Sequence, residues 1–299
     1  MNQSLKNIYF ACRPRQWTKN FFVFTAPIFA FQFDYATLRN TTFAFLCFCL
    51  ASSSIYLLND ILDINSDKLH PKKKNRPIAS GLVSIKLAFF TSIFLFLSSL
   101  LISFSISKVF SLVILIYFVI QFFYCIKLKQ EPILDIFCIS SGFLLRTLGG
   151  GLSSSLIISP WFLITVGFLA LFLSIEKRKS ELRLSLNTGI VYRKVLEKYT
   201  IPLLLRLESI ASTSALMSYT FWASGPALNG AKTYWMLITV PFVLYGFLRY
   251  QLISDPNKNN EKLTLIESPE LILIQDKGIK TICIIWLIST LLIGLISNN

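Results

Sequence analysis

The chain has 299 residues, 54% of them hydrophobic and 14% aromatic, with a mean hydropathy of +0.62; this excludes an ordinary soluble domain and points to a polytopic membrane protein. A net charge of +14 raises the question of nucleic acid, but the basic residues are scattered over loops between apolar runs and no nucleic-acid motif accompanies them, so no nucleic-acid partner is expected. Cys12, Cys47, Cys49, Cys125, Cys138 and Cys283 form no C-x-x-C pair and lie mostly in apolar runs, as small packing residues do.

Nine apolar segments are candidate spans, at about 21–38, 43–58, 82–106, 109–126, 133–152, 156–175, 207–223, 235–248 and 279–296. Several fall short of the roughly 20 residues a bilayer core requires, so they extend into flanking polar residues, tilt or break. Of the 29 Lys and Arg, only Arg39, Lys108 and Lys232 fall in the loops after odd-numbered spans, and only Arg146 lies deep inside a span. The rest lead into the first span or follow the even-numbered ones, which places the amino terminus and those loops in the cytoplasm and the carboxyl terminus outside. Of the 15 acidic residues only Asp34 falls on the outer side, so any chemistry faces the cytoplasm. Residues 1–20 are polar and no cleavable signal peptide is expected.

In chain order, the first marked stretch is RPRQWTKN, from Arg13 to Asn20. Trp17 with Arg13, Arg15 and Lys19 reads either as an interfacial anchor or as a clamp for a lipid phosphate. Pro27 is expected to kink the span that follows. Next comes NDILDINSDKLHPKKKNRPIASG, from Asn59 to Gly81, the most polar run in the chain. Asp60, Asp63 and Asp67 recur at three and four residues, so two further helical turns put them on one face within roughly 100°, with Asn59 at its edge. Such carboxylates repel one another unless a positive group sits between them, and hard oxygen donors suit Mg²⁺, which takes few carboxylates and completes its shell with water and phosphate. Lys68, Lys72, Lys73, Lys74 and Arg76 follow at once. Metal ligands beside cations suggest a diphosphate site, although the lysine run could equally set topology or touch anionic lipid. His70 is the single histidine and reads as a solvated loop residue.

The fourth span ends in YCIKLKQEPILD, which brings Tyr124, Lys127 and Lys129 to the cytoplasmic edge. Asp135, Ile139, Gly142 and Arg146 recur at helical spacing in the fifth span. An arginine at that depth costs about 2.5 to 3.5 kcal/mol unless it faces a wet or paired interior, so Arg146 is either a functional residue or a structural pair. Gly149, Gly150 and Gly151 permit close helix approach. After the sixth span comes SIEKRKSELRL, where Lys177 and Glu181 could form an i,i+4 pair and Arg178 and Arg183 flank them. The 251–280 loop carries no legible chemistry. The charged extensions after spans two and six suggest two pseudo-equivalent halves.

NDILDINSD followed by NRPIASG resembles the first aspartate-rich motif, NDxxDxxxD, of the UbiA-type intramembrane prenyltransferase superfamily. The resemblance implies an all-α, polytopic membrane protein of nine transmembrane helices around a central cavity opening to the cytoplasmic side, with residues 1–299 forming a single domain. Where the typical member carries a second motif, DxxxD, this chain reads EKRKSE, with Lys177 and Arg178 in place of aspartates. That departure, RPRQWTKN and LKQEPILDIFCISSGFLLRTLGGG resemble the decaprenyl-phosphate phosphoribosyltransferase branch. It implies a bacterial plasma-membrane enzyme that moves a 5-phosphoribosyl group from phosphoribosyl diphosphate to a polyprenyl phosphate and releases diphosphate, feeding a cell-wall precursor.

On that reading Asp60, Asp63 and Asp67, assisted by Asn59, hold Mg²⁺ on the leaving diphosphate. Lys129, Lys177 and Arg178 hold the donor's phosphates and Arg76 lies near the diphosphate. Arg13, Arg15 and Lys19 hold the acceptor's phosphate, and Arg146 serves either ligand. The alternative is prenyl transfer from a polyprenyl diphosphate to an aromatic or quinone-precursor acceptor, which shares metal, fold and compartment. A transporter or lipid flippase would carry charges at both mouths of a pathway, which the one-sided distribution argues against.

Overall fold

The structure is a computed structural model that describes residues 3–69, 73–189, 193–255, 272 and 275–297. His70 and Lys72, and residues 256–271 of the last loop, lie outside the described residues. Within them every regular element is helical, as expected: α1 (Gln3–Ala11), α2 (Thr25–Ala30), α3 (Tyr35–Leu62), α4 (Ile64–Leu69), α5 (Ile85–Ile106), α6 (Lys108–Ile126), α7 (Leu134–Ser153), α8 (Pro160–Thr188), α9 (Ile201–Ala223), α10 (Val240–Ser254) and α11 (Lys277–Ile296), joined by short 3₁₀ turns.

The segments expected at 21–38 and 43–58 divide differently. Pro14–Phe24 is a 3₁₀ stretch, and α2 follows for six residues before Phe31 turns left-handed at φ 53°. Pro27 is the third residue of α2, in its first turn, where its missing N–H removes no hydrogen bond within that helix. Asp34 then accepts a hydrogen bond from the Thr37 N–H at 3.0 Å and caps a new helix, and α3 runs for 28 residues through the expected break. Among the described residues seven stretches are long and apolar enough to cross a membrane: α3, α5, α6, α7, most of α8, Tyr234–Ser254 and α11. The expected segment 207–223 is helical within α9, but Arg206, Glu208 and a run of Ser and Thr dilute its apolar character. Among the described residues, length and composition therefore establish seven of the nine expected spans.

The chain divides into two compact units, Met1–Lys129 with Leu145–Ile157, and Gln130–Leu144 with Ile158–Asn299. In the first, α3 is the inner helix, with 61% of its most apolar window buried against 22% for α5 and 28% for α6. Its core joins Val23, Ala44, Phe48, Phe110, Ile114 and Tyr117, while Phe90, Phe94 and Leu101 of α5 stay exposed, as side chains facing lipid would. Gly150 is required by close approach, because a Cβ there would run into the Val23 carbonyl. A second cluster packs Ala11 and Cys12 against Leu57, Ile78, Val83 and Ala88, which seats α1 beside the carboxyl-terminal end of α3. The core of the second unit gathers Ile136, Phe172, Ile175, Leu182, Leu196, Tyr199, Leu204 and Tyr250.

Candidate active site

In the first unit the three aspartates sit where the apolar part of α3 runs out. The helix formally ends at Leu62 and α4 begins at Ile64, yet the i,i+4 pattern runs through the junction: the Asp63 N–H bonds the Asn59 carbonyl at 2.9 Å and the Asp67 N–H bonds the Asp63 carbonyl at 2.8 Å. The expected spacing is therefore kept despite the break. Asp60 and Asp67 converge on one guanidinium, with Arg76 Nη1 at 3.1 Å from Asp60 Oδ1 and 2.5 Å from Asp67 Oδ2. Asp60 also pairs with Arg13, whose guanidinium lies 5.1 Å from the centre of the Tyr56 ring. Asp63 takes Lys129 Nζ at 2.6 Å. The Asp60 side chain is 2% exposed and that of Asp67 3%, while Asp63 keeps 28%.

These pairs explain why, among the described residues, no three His, Cys, Asp or Glu are drawn together as a metal cage. The carboxylates are turned onto cations. Their chemistry nevertheless fits Mg²⁺, since hard oxygens on consecutive turns of one helical face supply the few protein ligands that ion accepts. Asn59 is half-buried one residue before Asp60.

The basic residues near the amino terminus separate. Arg13 joins the aspartates, Arg15 is exposed and Lys19 is half-buried. Trp17, expected as an interfacial anchor, donates from Nε1 to Ser53 Oγ at 3.0 Å and is held by α3. Arg146 is 5% exposed; its Nε donates to Asn20 Oδ1 at 2.7 Å and its Nη2 to the Tyr117 hydroxyl at 3.0 Å. Its guanidinium lies 4.9 Å from the centre of the Tyr117 ring and 5.8 Å from that of Phe48. Asn20, fully buried, donates in turn to Cys49 Sγ at 3.2 Å and Ser52 Oγ at 3.4 Å. Asn20, the Tyr117 hydroxyl and two aromatic rings thus all meet the arginine of α7.

In the second unit Asp135 is fully buried and receives Arg178 Nε on Oδ2 and the Tyr199 hydroxyl on Oδ1, the latter at 2.7 Å. Tyr199 also accepts the Ile133 N–H at 2.6 Å, which steadies an isoleucine held at φ 70°. Burial, with the bond to Asp135, pushes the Tyr199 phenol above its ordinary range. Arg178 Nη1 continues to Glu181 at 2.5 Å, and Arg193 approaches Glu181 at 3.5 Å. Lys177 beside it is half-buried. The residue after Arg178, Lys179, pairs with both Glu176 and Glu208, all three almost wholly buried.

A model of the UbiA prenyltransferase family matches residues 20–266. The chain belongs to that family. A decaprenyl-phosphate phosphoribosyltransferase of Mycolicibacterium smegmatis is 36% identical over 290 residues, covering 93% of this chain and 89% of that protein. One from Corynebacterium glutamicum is 34% identical over 92% of this chain and 83% of its own length. Among solved structures, a UbiA homolog from Archaeoglobus fulgidus bound to GPP and Mg²⁺ matches with a TM-score of 0.72 at 20% identity, over 96% of this chain and 99% of that one. Its likeness shows the shared fold.

In this UbiA member Asn20 closes RPRQWTKN, but its role, like those of Tyr117 and Tyr199, left no signal in residue order. Asp135 and Arg146 lie on one helix at the expected spacing, and spacing alone does not tell their partners. The structure gives Asp135 to Arg178 and Tyr199 and Arg146 to Asn20 and Tyr117. Glu208 did leave a signal, as an acidic side chain inside an apolar run.

Proposed function

We propose that this multi-pass membrane protein transfers a 5-phosphoribosyl group from phosphoribosyl diphosphate to a polyprenyl phosphate, releasing diphosphate, as a single transmembrane domain over residues 1–299. The observation that carries the reading is the buried aspartate face of α3 and α4 ringed by Arg13, Arg76 and Lys129. The relatives at 34 to 36% identity over more than nine-tenths of the chain support the choice of donor and acceptor. EKRKSE, cationic where the typical family member is acidic, supports the same choice, because the donor carries a second phosphate that needs cations.

Asp60, Asp63 and Asp67 would hold Mg²⁺ with Asn59 assisting; when bound, the ion neutralises charge on the leaving diphosphate. Arg76, Arg13 and Lys129 offer charge-assisted hydrogen bonds to diphosphate oxygens. As the bond from ribose C1 to the diphosphate oxygen breaks, its electron pair leaves with diphosphate and the sugar passes through an oxocarbenium-like state. An acceptor phosphate oxygen forms the new bond to C1. That oxygen is already anionic, so no strong general base is required.

Lys177 is the proposed contact for the donor's other phosphate. Arg178, spent on Asp135 and Glu181, supports that end of α8. Arg15 and Lys19 are proposed for the acceptor's headgroup, and Arg146 for packing beneath them. The one-sided charges support a cytoplasmic amino terminus and active site, with the carboxyl terminus outside.

The test supplies purified protein with Mg²⁺, polyprenyl phosphate and radiolabelled phosphoribosyl diphosphate. Label enters the lipid phase only with Mg²⁺ and not with Asp60→Ala. No label, from a protein that instead moves a prenyl chain from its diphosphate, refutes the reading and establishes prenyl transfer.

A further inference from the structure

We infer that Arg13, Arg76 and Lys129 make the aspartate face selective for a divalent cation delivered together with a diphosphate, and against the free ion. The inference rests on the metal site proposed above. Among the described residues each of the three carboxylates is already paired with a cation, and Asp60 receives two guanidinium groups. A free divalent ion would add two positive charges beside Asp60 and Asp67, which are almost fully buried, and would take from Arg76 and Arg13 the carboxylates they now hold, leaving them water in place of a charged acceptor. A metal carrying diphosphate brings net negative charge and phosphate oxygens. The displaced guanidinium and ammonium groups then exchange carboxylate for phosphate, an acceptor that suits the arginine fork at least as well.

The backbone divides the two sides of this exchange. Asp60 lies on α3 and Asp67 on α4, with Asp63 held between them by the continuing i,i+4 hydrogen bonds. The cations sit on irregular chain: Arg13 at a left-handed turn with φ 53° between α1 and the 3₁₀ stretch, Arg76 just beyond the Lys73–Asn75 turn, and Lys129 in the Leu128–Gln130 turn. The acceptors share one helical run, and the cations come from short turns outside it. Tyr56 gives the Arg13 guanidinium a second surface, which keeps it beside the face when its carboxylate is taken.

Equilibrium dialysis of the full chain in detergent tests this with Mn²⁺ as the ion and inorganic diphosphate as the anion, each small enough to pass the membrane unless protein holds it. Wild type is expected to retain Mn²⁺ about tenfold more tightly with diphosphate than without. Arg76→Ala should retain Mn²⁺ alone about tenfold more tightly than wild type and lose most of the gain from diphosphate. Arg76→Lys, which keeps the charge, should stay like wild type, separating charge competition from a loosened fold. Lys129→Ala should move in the direction of Arg76→Ala, which keeps the test alive should the latter fail to fold.

Equal retention by wild type with and without diphosphate overturns the inference, as does an Arg76→Ala protein that folds and gains nothing for the free ion. Retention in neither condition overturns it together with the proposed metal site. Dialysis as expected, with no label reaching lipid in the transfer assay, leaves the inference standing and removes phosphoribosyl transfer alone.

Discussion

The aspartate face of α3 and α4 and the buried pairs of α8 are built from the same chemistry, carboxylate against guanidinium or ammonium, and they differ in access to water. Around Asp60 the partners keep surface: Arg13 is 25% exposed, Arg76 24% and Lys129 17%. Around Asp135 and Lys179 almost nothing does, with Arg178 at 0%, Lys179 at 2% and Glu208 at 5%. A part-exposed pair can trade partners, because water and an incoming anion can receive the released charge. A sealed pair cannot, since separating it strands a charge in a low-dielectric interior. The first cluster is suited to bind and the second to hold helices in place.

Substitutions should separate the two. The largest effect is expected at Asp60: Asp60→Ala should lower phosphoribosyl transfer on the order of 10³-fold, the loss of several kcal/mol of charge stabilisation, while the thermal unfolding midpoint changes little or rises. A parallel collapse of stability would make Asp60 a structural residue like Asp135. Lys179→Met should do the reverse. It leaves Glu176 and Glu208 buried without their cation and should cost about 3 to 5 kcal/mol of stability, read as a lower unfolding midpoint and lower yield in detergent. Adding Glu176→Gln and Glu208→Gln should return most of that loss; failure to do so would give Lys179 a role beyond charge pairing.

Tyr199→Phe should cost about 1 to 3 kcal/mol, because it leaves the Ile133 N–H and one Asp135 oxygen without a partner. Burial and the bond to Asp135 raise the Tyr199 phenol in the folded chain, so the hydroxyl's contribution is full below the ordinary phenol value of 10.0 and falls as pH rises above it, where the unfolded chain ionises first. The gap between wild type and Tyr199→Phe should therefore stay constant from pH 6 to 9 and narrow in stronger alkali. A gap that changes across the neutral range would place another titrating group in this network. The smallest effect belongs to Arg249→Ala. Its pair with Asp276, at 3.1 Å, lies at the surface, and no resolvable shift in unfolding midpoint is expected.

Much of the first cluster was legible from residue order, because its spacing follows helical geometry: Asn59, Asp60, Asp63 and Asp67 are local to one another. Arg76 also lies nearby in sequence. Arg13 and Lys129 could be named as cations but not assigned to an aspartate, since Asp60 and Asp63 reach them from 47 and 66 residues away. The second network was hardly legible. Tyr199 stands in a loop without a motif, 64 residues from Asp135, and Arg178 reads from sequence as a solvent-facing phosphate ligand until burial removes it from solvent.

By itself the sequence determined that this is an all-helical, multi-pass membrane protein, and that three carboxylates share a helical face. Those properties depend on hydropathy over a window and on a period of 3.6 residues, both local. Only the tertiary structure decided which cation meets which carboxylate, that Arg146 rests on Asn20 and Tyr117, and that α3 begins at Tyr35 past a broken first segment. Pairing and burial depend on where distant segments pack, and a one-dimensional pattern carries no record of that distance.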